Sequence, residues 1–207
     1  MEKCIGRILE VYKNYLGIDD NQEAILRYSL YLMMSAILGY FLALAAAWLL
    51  GTFSYVFVIM ITISILRSSS GGAHCESMWN CAIFGMVVSN ALGLLIKVIV
   101  PTKEITLSIL VFVFLFGLWS INKYAPADTP QKPINTFEKR EKLKRRSLVI
   151  LVVWCFLNIG YYIIFKRGHS MVIASSLGVL WQCFSITKVG YKLWHKSDCL
   201  LNKILGK

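Results

Sequence analysis

Residues 78–100 read MWNCAIFGMVVSNALGLLIKVIV, twenty-three positions in which Lys97 is the one charged side chain. At 1.5 Å rise per residue a helix of this length reaches about 34 Å, enough to cross a hydrocarbon core of roughly 30 Å. Working outward, apolar runs of the same kind fill residues 25–50, 52–66, 105–121, 147–165 and 170–187. The spacing predicts an all-α membrane protein with six transmembrane helices in one integral domain, 1–207, the spans lying within 25–187. Composition agrees: 57% of the residues are apolar and 16% are charged, where a soluble domain carries about 25% charged residues. A disordered chain, a secreted disulfide scaffold and a nucleic-acid-binding domain are excluded.

The two ends repeat one pattern. Ile5, Ile8, Leu9, Tyr12 and Leu16 recur at helical spacing opposite Lys3, Arg7 and Lys13, so residues 1–20 are expected to form an amphipathic helix on the membrane surface. In residues 188–207, Leu193, Trp194, Leu200, Leu201, Ile204 and Leu205 alternate with Lys192, Lys196 and Lys203, and the same interfacial role is expected. No cleavable leader pattern precedes the first run. Asp20, Asn21, Gln22 and Glu23 offer a capping box for the first span.

The net charge of +11 names no partner, because basic residues between apolar runs are what orientation in a bilayer requires. Counting Arg27 with the N-terminal segment and Lys97 with the third loop, eighteen Lys and Arg fall on one side and four on the other. Both termini, the 67–77 loop and the 122–146 loop are therefore expected in the cytoplasm of a bacterial plasma membrane protein. The second run is short, about 22 Å of helix, and its following loop is expected to be re-entrant or semi-buried.

That loop reads Arg67-Ser68-Ser69-Ser70-Gly71-Gly72-Ala73-His74-Cys75-Glu76-Ser77. Irregular polar backbone at membrane depth is tolerated where protein covers it or a wet cavity opens onto it, and such places tend to be functional. His74 and Cys81 on one continuous helix would stand about 10 Å apart along its axis, so the helix must start after His74. Ser77 is a natural N-cap, which puts Cys81 in the opening turns where the dipole favours thiolate. Gly71 and Gly72 would let His74 fold back, making a Cys–His pair with Cys81 as nucleophile and His74 as base and then acid. Two other readings stand beside it: His74 satisfying a loop hydrogen bond while Cys81 fills space, and a metal held by His74, Cys75, Glu76 and Cys81. The metal reading is disfavoured because adjacent His-Cys side chains diverge and no second cluster completes a set, so no metal and no cofactor is expected. Cys75 is a rival nucleophile with no helix start behind it. Glu76 is either an orienter of the imidazole or a solvated loop carboxylate. All eleven acidic residues lie outside the apolar runs, so no intramembrane aspartyl pair exists, and no H-E-x-x-H occurs. Asn90, Asn158 and Gln182 read as interhelical hydrogen-bonding groups.

The pattern Arg67-x-x-x-Gly71-Gly72-x-His74-x6-Cys81 between two apolar spans resembles the accessory gene regulator B family of membrane cysteine endopeptidases. Lys123-Tyr124-Ala125-Pro126-Ala127-Asp128-Thr129-Pro130 with Lys132-Pro133-Ile134 looks like that family's second cytoplasmic loop, and the similarity covers nearly the whole chain. The resemblance implies processing of a short pheromone precursor for quorum sensing, with Cys81 as nucleophile, His74 as its base, and Arg67, Gly71 and Gly72 supporting the loop. Cys81 would form an acyl-thioester, which an internal Cys or Ser of the peptide displaces to close a cyclic thiolactone or lactone, the autoinducing peptide. Cys75 has no place in the family pattern. Lys139, Arg140, Lys142 and Lys144 would bind an acidic C-terminal tail of the precursor. The expected partners are that precursor, the lipid bilayer and a second copy in a homodimer, the last also suggested by Gly85, Ser89 and Gly93 down one face of the third span. The competing function is a non-enzymatic transporter or scaffold of the peptide.

Overall fold

Asp19 starts the first long helix by a reciprocal cap: its carboxylate accepts from the Gln22 backbone N–H at 2.7 Å, and the Gln22 side-chain oxygen accepts from the Asp19 N–H at 3.1 Å. The box thus sits one residue earlier than the Asp20 to Glu23 reading. In the computed structural model, which describes residues 2–73, 75, 77–99, 101–128, 134, 136–165 and 168–204, eight helices follow one another: α1 (Glu2–Leu16), α2 (Asp20–Leu49), α3 (Phe53–Ser70), α4 (Met78–Val98), α5 (Lys103–Tyr124), α6 (Phe137–Ile164), α7 (His169–Ser185) and α8 (Lys188–Ile204). Each of the six apolar runs lies in its own helix, and no strand occurs among the described residues. Five helices, α2 to α6, are long and apolar enough to cross a membrane. The count becomes six when α7 is joined to α8, from which it is bent by 87°.

The second span is not short. Helix α3 runs eighteen residues through Arg67 to Ser70, about 27 Å of rise, so the irregular loop begins at Gly71 rather than at Arg67. The helix extends because its last carbonyls find partners elsewhere in the chain: the Ser70 carbonyl accepts from Ala127 N–H at 2.8 Å and the Gly71 carbonyl from Gln182 Nε2 at 2.8 Å. The basic stretch after residue 136 is likewise the start of α6 and not a loop.

Helix α7 forms the centre of the bundle, packed against α3 and α5 and touching α4 and α6. Its Ala174, Ser175, Ser176 and Gly178 are small, which permits that approach. A Cβ on Gly178 would lie 2.9 Å from the Ile59 carbonyl oxygen and 3.3 Å from the Ile59 Cα of α3. Trp154 Nε1 donates to Ser175 Oγ at 2.6 Å and Asn158 Nδ2 to the same oxygen at 3.3 Å, while Asn90 Nδ2 donates to the Ala43 carbonyl at 3.1 Å. The polar residues of these spans do join helices. Outward, Phe41, Phe112, Leu115, Phe156 and Leu157 are exposed, the pattern of a surface solvated by lipid.

The small-residue stripe of α4 is used mostly inside the chain. Ser89 is buried, and a Cβ on Gly93 would lie 2.6 Å from Val56 of α3, leaving Gly85 as the open position. The stripe therefore serves α3–α4 packing and offers little surface to a second copy.

Candidate active site

At one end of the bundle four segments meet: the turn from α3 into α4, the connection from α5 to α6, the end of α7, and α8. Gly71 makes their junction possible. Its φ of 70° lies in the left-handed region, and a Cβ there would collide with the Ala127 carbonyl oxygen. The two loops pair in parallel as a single bridge, Gly71 with Ala127, in which Gly72 N–H donates to the Ala127 carbonyl at 3.2 Å. Gln182, fully buried on α7, locks the bridge by donating to Ser70 Oγ at 2.9 Å as well as to the Gly71 carbonyl. Gly71 thus lets the first loop lie against the second with no side chain between them at that point, while a Cβ on Gly72 would meet Arg67 and Ser185 at 3.5 Å, ordinary contact.

Arg67, in the last turn of α3, points across this junction. It donates to the Ala73 carbonyl, holding the loop after the glycines, and its guanidinium carbon stands 5.8 Å from the centre of the Trp194 ring of α8. Cys81 lies in the first turns of α4. Ser77 occupies the N-cap position, yet its side chain makes no cap hydrogen bond; the Ser77 carbonyl accepts from Cys81 N–H at 3.1 Å. His74 and Glu76 lie outside the described residues. Cys75 is described and half-buried. Hydrogen bonding with Cys81, burial and the Asp198 carboxylate all push its pKa above the ordinary thiol range.

Two cavities share Arg67. One, of about 190 Å³, is lined by Arg67, Cys81, Tyr40, Ser64, Trp181 and Trp194, and is largely apolar. The other, of about 330 Å³, is lined by Arg67, Gly71, Gly72, Ala127, Asp128 and Lys139. The four basic residues expected to act together on α6 are not equivalent. Arg140 is paired with Asp128 at 2.9 Å, Lys144 donates to the Asn122 carbonyl at 2.7 Å, Lys142 is exposed, and Lys139 lines the larger cavity. Two of the four therefore spend hydrogen-bonding capacity on the chain itself.

Helix α8 closes the site from above. Asn80, fully buried beside Cys81, donates from Nδ2 to Asp198 Oδ1 and to Asn202 Oδ1, both at 2.7 Å. Trp194 packs edge-on against Phe84 of α4 at 4.5 Å between ring centres. Gly190 lets the turn be this tight, since a Cβ there would fall 2.8 Å from the Ser185 Cα. Among the described residues, two buried atoms of this clamp, Asn80 Oδ1 and Trp194 Nε1, have no protein hydrogen-bond partner. Sequence reading missed Asn80, Asp198 and Asn202. The signal was present: Trp194, Asp198 and Asn202 recur every four residues, so an acidic and an amide side chain share the face of a tryptophan in a tail otherwise read as an anchor.

Fold and site together define a multi-pass helical membrane protein with a thiol at the start of one span, covered by an amphipathic helix. Residues 5–186 match the family profile of Accessory gene regulator B. The chain is 33% identical over 213 residues to an AgrB-like protein of Clostridium perfringens (strain SM101 / Type A), covering 99% of this chain and 100% of the relative. It is also 27% identical over 165 residues to accessory gene regulator protein B of Staphylococcus lugdunensis, covering 78% and 84% of the two chains. Against protein FsrB of Enterococcus faecalis the identity is 28% over 156 residues, 71% of this chain and 62% of the relative. No solved structure matches. The chain belongs to the accessory gene regulator B family.

Proposed function

We propose that the protein is a membrane cysteine endopeptidase that cleaves a short pheromone precursor and cyclises the product for quorum sensing. The observation that carries this reading is the setting of Cys81: a thiol in the opening turns of a helix, at the wall of a cavity, with a guanidinium beside it and a helix above it. Cys81 thiolate attacks a peptide carbonyl near the precursor's C-terminus, His74 having taken the thiol proton and returning it to the leaving amine. The tail departs and the remainder stays as an acyl-thioester on Cys81. An internal Cys or Ser of the peptide then displaces the enzyme thiolate, closing a thiolactone or lactone. Thioester exchange is nearly balanced in energy, whereas water would waste the intermediate, so a site lined by Trp181 and Trp194 suits transfer over hydrolysis.

The larger cavity, with Arg67 and Lys139 on its wall, suits an acidic tail, the other basic side chains of early α6 adding long-range attraction. Both termini and the site lie in the cytoplasm in this reading. The segments 122–146 and 188–204, with eight and four Lys and Arg, meet the loop after Arg67 at one end of the bundle, which supports that orientation.

The test is co-expression with the precursor. Cys81→Ala should abolish cleavage, whereas a transporter or scaffold would tolerate loss of one thiol. With a precursor whose ring-closing Cys is changed to Ala, mass spectrometry should find the peptide attached to Cys81, released by hydroxylamine as the hydroxamate. Turnover of that precursor to linear acid at the normal rate, without adduct, would show a plain hydrolase.

A further inference from the structure

The smaller cavity beside Cys81 has most of its polar groups engaged by the chain itself. The Tyr40 hydroxyl donates to the Met60 carbonyl at 3.1 Å and is hydrogen-bonded to Ser64, Ser89 Oγ donates to the Gly85 carbonyl at 2.7 Å, and Arg67 donates to the Ala73 carbonyl. The rest of the wall is mainly apolar, from Leu32 and Ala36 of α2 through Met60 of α3 to Ala82 and Val88 of α4, with Trp194 of α8. Two glycines keep it open. A Cβ on Gly39 would touch Ala82 at 3.6 Å, ordinary contact, and one on Gly85 would meet no atom within 4 Å. Glycine inside a helix is unfavourable relative to alanine, so an open glycine on a cavity wall keeps space at a cost to its helix.

The space fits one side chain. A dry apolar cavity of about 150 Å³ accepts benzene, and this one has about 190 Å³. Cys81 is on its wall, so a group that enters lies next to the carbon the thiolate attacks. Polarity assigns the two sides of the scissile bond. The larger cavity offers Lys139 and Arg67 to an acidic tail, whereas a carboxylate entering the smaller one would exchange its hydration mostly for hydrocarbon. Arg67 and Cys81 bring polar groups to this wall, where a peptide backbone finds partners and a lipid chain does not.

We propose that this cavity receives the apolar side chain, of leucine to phenylalanine size, of the precursor residue whose carbonyl Cys81 attacks, and that Gly39 and Gly85 set the size it accepts. The inference rests on the reading of Cys81 as the nucleophile and specifies the substrate beside the scissile bond. The peptide passes Arg67, which lines both cavities, with its acyl residue in the apolar one and its tail in the basic one. Once the tail has left, the seated side chain anchors the acyl-thioester and fills space that water would otherwise take.

The experiment uses the chloromethyl ketones of N-acetylphenylalanine and N-acetylalanine, whose side chains sit next to the carbonyl as in a peptide and whose chloride a thiolate displaces to form a sulfur–carbon bond. Rates at Cys81 are read by peptide mass spectrometry on the full-length protein in lipid nanodiscs. They are divided by the rates at exposed Cys199 of the same molecules, which cancels bilayer partition and reagent reactivity. The parent should prefer the phenylalanyl ketone by about tenfold or more. Gly85→Ala should cut that preference several-fold, and Gly85→Leu should reverse it, an order that a thiol exposed by misfolding does not give. An unselective parent overturns the proposal, as does a folded Gly85→Leu protein that keeps the parent's order. Should the leucine variant fail to fold, the alanine variant decides alone, and an unchanged preference there overturns the proposal. The ketones need no precursor. If Cys81→Ala still processes precursor, the nucleophile assignment fails whatever the ketones show; if it does not and the ketones show no preference, the cavity assignment alone fails.

Discussion

Helices α1 and α8 look alike in the sequence and do different work in the fold. Both are amphipathic, both carry three or more basic residues on the polar side, and both flank the spanning region. Helix α1 buries Ile5 and Leu9 and packs against α2, where Lys13 reaches Asp20 at 3.3 Å and Glu23 at 3.0 Å. These ion pairs are exposed, and such pairs are weak because both charges give up good hydration for little gain. Helix α8 instead buries Trp194 and Asp198 against α4, beside Cys81 and over Arg67. Its Leu193 and Leu200, which the anchoring pattern counted with Trp194, are exposed. A surface helix becomes part of a site when polar residues within its apolar face find partners on the bundle.

Trp194→Ala should have the largest effect. It removes a nearly buried ring that packs on Phe84 and stacks with Arg67, a loss of about 3 kcal/mol, visible as a lower thermal midpoint in detergent and at least a tenfold fall in precursor cleavage. Leu9→Ala, its counterpart on α1, should lower the midpoint without a comparable loss of cleavage. Equal loss from both would erase the distinction between the two helices.

Asp198→Ala comes next. A hydrogen bond to a charged acceptor contributes about 1.5–3 kcal/mol, and its loss frees the α8 end from Asn80. Processing should fall several-fold, with Cys81 alkylated faster by a bulky maleimide because the helix above it opens more often. Asp198→Asn, which keeps an acceptor, should retain most activity. If alanine and asparagine behave alike, the carboxylate is not what pins α8.

Lys13→Gln should change least. The Lys13 pKa is raised from 10.5, chiefly by its hydrogen bond to Glu23 and then by Asp20. A raised pKa means the stabilisation is complete below the unfolded-state value and lost only as pH climbs through the folded one. Any difference in midpoint between variant and parent should therefore be the same at every pH from 6 to 9, small because the pairs are exposed, and should vanish in strongly alkaline solution where the parent's Lys13 is neutral; cleavage should match. A clear loss of cleavage at neutral pH would make α1 as much a part of the site as α8.

The sequence by itself determined the all-helical membrane class, because runs of apolar residues that long have no other stable place and a helix satisfies its own backbone within lipid. It also placed Cys81 at a helix start, since Ser77 and the glycines before it end one helix and begin another. Polar residues inside the spans were legible as helix-joining groups for the same reason: a lone amide in hydrocarbon must find a neighbour. What the tertiary structure alone decided lies at contacts far apart in the chain. The length of α3 depended on Ala127 and Gln182 donating hydrogen bonds to the carbonyls of Ser70 and its C-cap Gly71, and no local pattern around Arg67 contains that information. The division of the basic residues into paired Arg140 and Lys144 and cavity-facing Lys139 depended on where Asp128 and Asn122 stand. Helix α8 became a clamp on α4 because an 87° bend after α7 carries Asp198 to Asn80, 118 residues away. Periodicity fixes which face of a helix is apolar, while only packing fixes what that face meets.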